Sequence, residues 1–208
     1  MRQLLILMAT SSFLLYACGS QQDSGDASKQ EPPQIDTAAM LSTGTQIAMA
    51  TFGVLSAELS AAMARGGVAE AAPYCQLNAL PIADSLSQVH GASIRRVTDK
   101  PRNPLDSLSA TERPVFESYA QAHKNGEKLK PQLLQSGGGA YVFAPIITQE
   151  FCLSCHGVPG EDIAAADLEV IESLYPNDRA TGYRAGELRG MWSLYFDEAS
   201  LLFKDAEE

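Results

Sequence analysis

The sequence predicts an α+β domain, with long helices first and antiparallel strands with intervening helices after them. Three observations carry this. Apolar residues recur at three- to four-residue steps through the first part of the chain, at Leu41, Ala48, Phe52, Leu55, Leu59 and Ala62. Strand-like alternation and a Gly-rich hairpin follow in the second half. No segment repeats.

Taken in order, Asp36 or Thr37 can cap a helix that runs to about residue 65, where Gly66-Gly67 stops it. Residues 68–90 read as a second helical stretch, interrupted near Pro73 and Pro81 and closed by Gly91. In residues 92–98, Ile94 and Val97 alternate with Arg95 and Arg96, as in a half-buried strand. A Pro-rich loop covers 99–107. Ser109 and Glu112 stand at capping-box spacing and open a helix to about Lys124. Residues 129–135 and 140–148 flank a Ser-Gly-Gly-Gly turn and read as a hairpin. An acid-capped helix is expected over 162–174, ending at Tyr175-Pro176, and a last strand over 187–197.

The hairpin delivers the chain to Cys152-Leu153-Ser154-Cys155-His156-Gly157, a C-x-x-C-H string. That is the attachment signature of one covalent haem c. Two thiols at this spacing can add to the two vinyl groups, and the next residue supplies an imidazole to the iron. Gly157 leaves room for a tight turn. A zinc site would need a second ligand pair, and no other C-x-x-C exists. A dithiol redox site does not call for the adjacent His.

The N-terminus agrees with this chemistry. Met1-Arg2 precedes an apolar run, residues 4–16, that is short for a bilayer span. It leads to Ala17-Cys18-Gly19, which resembles a bacterial lipobox with Cys18 as the lipidated residue. Residues 1–17 are therefore read as a lipoprotein signal peptide, 18–34 as lipidated Cys and flexible tether, and 35–208 as the haem domain. Gly19 and Ser20 do not supply the Asp of an inner-membrane retention signal. The expected location is the periplasm, on an outer-membrane lipid anchor.

The formal net charge is −10, from 25 acids against 15 Lys plus Arg. Such a chain does not seek nucleic acid, and the field can steer a basic partner. Small residues on the first helix offer a homodimer face.

Four cysteines are present. With Cys18 assigned to lipid and Cys152 and Cys155 to haem, Cys75 is left unpaired. For the sixth ligand of the iron, Met40, Met49, Met63, Met191, His90, His123 and Cys75 all compete. Each also has an ordinary role in packing or at the surface; for Cys75 that role is a small core hydrophobe.

Several stretches, in this order and spacing, resemble a family of c-type haem domains first described from a cyanobacterial protein. They are Cys75 with Ala79, Pro81 and Ala83; Ile94-Arg95-Arg96; Arg102-Asn103-Pro104; Pro145-Ile146 with the haem string; Tyr175-Pro176 with Asp178, Ala180 and 181–183; and residues 186–190. Asp99 and Asp106 depart from the family pattern, where Ser and Asn are expected. The resemblance implies a PAS-like antiparallel sheet with long N-terminal helices and flanking helices. It also implies axial ligation by His156 and Cys75, and a domain that occurs alone or as the sensor of histidine kinases.

Iron-bound Cys is a thiolate and favours the ferric state, so a low potential is expected. Arg95, Arg96 and Arg102, with Lys100 and Arg189, concentrate positive charge in an acidic chain and are candidate partners of the haem propionates. The function expected is one-electron redox chemistry, by electron transfer or redox reporting to an exported redox or signalling partner. The alternative is a gas or redox sensor acting by ligand switching. A peroxidase is the third class, and no acid–base pair of that kind stands out, so the chain is expected not to be an enzyme.

Overall fold

The computed structural model of the protein describes residues 36–200. The residues read as signal peptide, lipidated Cys18 and tether lie outside the described residues.

Helix α1 (Thr37–His90) opens with Asp36, whose carboxylate accepts from the amides of Ala38 and Ala39 at 2.9 and 3.1 Å. The helix is broken where the sequence predicts, at Gly66-Gly67. Gly67 takes φ 65°, ψ −151°, a backbone state that a side chain would strain. Pro73 and Pro81 do not interrupt the second segment, contrary to expectation. Each removes one amide donor, and next to Pro73 the buried Val68, Ala71 and Ala72 hold the helix in place. Gly91 ends the helix in the left-handed conformation, φ 59°.

The strands are β1 (Ser93–Val97), β2 (Gln132–Ser136), β3 (Gly139–Ile147) and β4 (Leu188–Asp197). They form one sheet in the order β1-β4-β3-β2, and every neighbouring pair is antiparallel. Alternation sorts the side chains. Ala140, Val142 and Ala144 of β3, with Trp192, Leu194 and Phe196 of β4, turn to one face and pack on Met40, Ile47 and Ala48 of α1. Phe143 and Met191 turn to the other face, under Phe116 and Tyr119 of helix α2 (Glu112–Lys124). At Gly44 a Cβ would come within 2.5 Å of Val142, so this glycine sets how closely α1 approaches the sheet.

After β3 a single turn (Glu150–Cys152) leads into the four-residue helix α3 (Leu153–His156). Helix α4 (Ala165–Leu174) starts later than the sequence predicts and has no acidic cap. Asp162 instead accepts from the Val158 amide at 2.8 Å and closes the loop before it. Ile163 and Ile171 pack on Val68 and Ala72, which joins α4 to the second segment of α1. The architecture is α+β and PAS-like: an antiparallel sheet with a long N-terminal helix on one face and a shorter one on the other.

Candidate haem site

The haem string is held by backbone bonds on both sides. Thr148, at the end of β3, exchanges amide bonds of 2.8 Å each with Glu187 and Gly186, just before β4. Beyond α3, the amides of Gly182 and Tyr183 donate to the carbonyls of Gly157 and His156 at 2.8 and 2.9 Å. A Cβ on Gly157 would run into Asp162. The glycine therefore serves contact with its own loop, a reason the sequence did not reveal.

His156 Nδ1 lies 2.7 Å from the Ala180 carbonyl. A carbonyl only accepts, so Nδ1 carries the proton and Nε2 is left with its lone pair. Burial, and then the Arg189 and Arg102 charges, hold the imidazole well below its usual pKa. This is the neutral form a metal requires, fixed in one tautomer by its outer bond.

His156 and Cys75, distant in sequence, line one cavity of about 1070 Å³. Its walls include Ala79 and Ala83 of α1, Ile94 of β1 and Trp192 of β4. A smaller cavity of about 110 Å³, lined by Phe52, Ile146 and Cys152, shares His156, Leu55, Arg96, Arg189 and Trp192 with the first. Cys155 sits against the α1–α4 cluster. Its thiol is pushed up to about 11 by burial, and Cys75 is near enough to add to the shift. Burial also raises the Cys75 thiol, opposed by Arg96 and Arg102. Met40, Met49, Met63, Met191, His90 and His123 line neither cavity. Met40 and Met191 are buried in the two core layers, and Met49 is exposed.

The cations divide by what they already hold. Arg95, expected among the propionate partners, lines the larger cavity, and its guanidinium is already held. Its guanidinium grips Glu112 at 2.9 and 3.1 Å and reaches the carbonyls of Leu105 and Ser107. Glu112 is only 1% exposed and also takes the Ser109 amide, so the capping residue doubles as an anchor for β1. Arg102 holds Asp178 at 3.0 Å and donates to the Cys155 carbonyl. Asp178 in turn accepts from the Ala180 amide at 2.8 Å. A chain of bonds thus runs Arg102–Asp178–Ala180–His156. The sequence showed Asp178 and Ala180 only as matching residues, without a role. Arg96 meets Asp106 at 3.4 Å. Arg189 lines both cavities, and its Nε is buried without a partner; Thr148 Oγ1 is likewise unpartnered.

These residues fit a haem. A neutral imidazole and a thiol share one largely apolar cavity, two more thiols flank the imidazole, and an orphaned cationic donor awaits an acidic group.

Fold and site together define a haem-binding domain of α+β, PAS-like class. A model of the Tll0287-like family, described as Tll0287, matches residues 21–196, and the chain belongs to that family. The crystal structure of the cyanobacterial heme-protein Tll0287 is 29% identical to this chain, covering 57% of it and 70% of the solved chain, with a TM-score of 0.48. No functionally curated protein matches.

Proposed function

We propose that the protein is an exported, lipid-anchored carrier or reporter of single electrons, with one covalent haem c. Cys152 and Cys155 would form the thioethers, and His156 and Cys75 would be the axial ligands. The observation that carries this reading is that Cys75, and no rival methionine or histidine, lines the cavity that holds His156. A haem bound there supplies a one-electron couple, held at low potential by a thiolate donor.

This chain's residues do the rest. Ala180 orients the imidazole, and the α1–α4 cluster keeps the segment bearing Cys75 beside Cys155. The lipid anchor at Cys18, a periplasmic location and an exported redox partner complete the reading. Homodimerisation through α1 would cover Met49 and Val54, exposed by 66% and 41%. Catalysis is no part of it.

One observation favours a second reading, in which the protein senses redox state or a gas. Cys75 lies on the α1 segment that follows the break at Gly66-Gly67, so loss of this ligand would free a segment already jointed. The carrier is tested by absorption and electron paramagnetic resonance of the ferric protein matured in an exporting host. A low-spin imidazole–thiolate spectrum is expected, with pigment that resists acid and solvent. Cys75→Ser should abolish that spectrum and raise the potential; an unchanged spectrum removes Cys75 from the iron. Carbon monoxide binding to reduced wild type, with a change of shape, would decide for the sensor.

A further inference from the structure

Four arginines line the larger cavity with His156, and three of them are answered by a carboxylate. Arg96 has Asp106 at 3.4 Å, and Arg102 has Asp178 at 3.0 Å. Arg95 has Glu112 at 2.9 Å. Arg189 has no carboxylate within ion-pair distance among the described residues. A guanidinium does not shed its charge in a protein. A buried donor on a charged group without an acceptor is costly, and native structures seldom leave one.

The rest of the side chain is held in place. Nη1 reaches the Lys100 carbonyl at 3.5 Å, at the limit of a hydrogen bond. The guanidinium carbon stands 5.1 Å from the ring centroid of Tyr183, which has Lys100 Nζ at 5.0 Å as well. Tyr183 is 4% exposed, and its amide is bonded to the His156 carbonyl. The ring that carries Arg189 is therefore tied to the haem string itself. The Tyr183 hydroxyl beside Arg189 is also buried without a partner, and Arg189 faces both cavities, so a group bound there can supply the acceptor. The fork of a guanidinium matches a carboxylate by two parallel bonds. Haem brings two carboxylates on its edge.

We propose that Arg189 binds one haem propionate, with Tyr183 as its positioning residue, while Arg95 and Arg102 serve the fold and the haem string. This rests on the reading above only in placing the haem in this cavity.

The test uses holoprotein and two readouts, the reduction potential and the propionate-bending band in resonance Raman spectra. A cation beside the haem favours the reduced state, so its loss lowers the potential. Arg189→Gln should shift the reduction equilibrium about tenfold towards the ferric form, ~59 mV for one electron, and move the band. Arg189→Lys keeps the charge but not the fork; the band should move while the potential stays near wild type. That variant decides alone if Arg189→Gln does not mature. Arg95→Gln should lower the denaturant midpoint and leave both readouts in place. An unmoved band in the Arg189 variants, or a band that moves only in Arg96→Gln, overturns the proposal. Wild-type haem that proves extractable, or lacks a thiolate signature, defeats the covalent or Cys75 reading instead and leaves the Arg189 comparison valid.

Discussion

The imidazole of His156 depends on a carbonyl that is itself positioned. The Ala180 carbonyl accepts a hydrogen bond from His156 Nδ1, and the Ala180 amide donates to Asp178, whose carboxylate is fixed by Arg102. Asp178 thus sits one residue removed from the proposed iron ligand, in the position where outer-shell partners orient a ligand. Asp178 and Arg102 are 7% and 13% exposed in their side chains, so solvent does little to screen the pair. Asp178→Asn keeps the shape but removes the charge. It is expected to cost about 2 kcal/mol, the worth of a charge-assisted hydrogen bond, read from the urea midpoint. It should also broaden the low-spin resonance as the imidazole plane becomes less fixed. A resonance as sharp as wild type, at the same stability loss, would limit Asp178 to holding the loop.

At the scale of elements, α1 binds the molecule together, because its two segments do different work. The first packs on the sheet; the second carries Cys75 and meets α4. Close approach of the first segment rests on Gly44, whose missing side chain makes room for Val142. Gly44→Ala is expected to destabilise by roughly 1–3 kcal/mol through overpacking, with Val142→Ala in the same chain recovering part of the loss. Additive costs in the double variant would show that the contact does not set the docking distance. Elements such as these were legible where the signal is local. Gly66-Gly67, the Ser109–Glu112 box, the hairpin glycines and the C-x-x-C-H string each act within a few residues. Pro73 misled because packing of Val68 and Ala72 on α4 overrides propensity. Asp162 misled because it bonds back to Val158 and not forward into the helix.

The whole molecule adds what no local pattern carries. The order β1-β4-β3-β2 brings the last strand between the first and third, so Arg189 and Trp192 reach the cavity that α1 and α3 line. Alternation along β1 could show that Arg95 turns to the face opposite Ile94, the one it shares with Val97. It could not show that Glu112 waits there. Net charge, by contrast, was fully readable and makes a whole-molecule prediction. The chain carries −10 overall, while the guanidiniums of Arg96, Arg102 and Arg189 gather at the cavity. These two fields act over different distances. At about 0.01 M salt the screening length is roughly 30 Å, and an approaching reagent feels the whole acidic surface. At about 0.15 M it is roughly 8 Å, and only groups near the cavity still count. The reduced protein should therefore be oxidised on the order of tenfold faster by a small cationic oxidant than by an anionic one of equal potential in dilute buffer. The ratio should fall towards parity as salt is added, as stopped-flow absorbance would record. Faster oxidation by the anion in dilute buffer would mean that the cavity arginines govern approach even against the net charge, and a basic redox partner would then lose its electrostatic rationale.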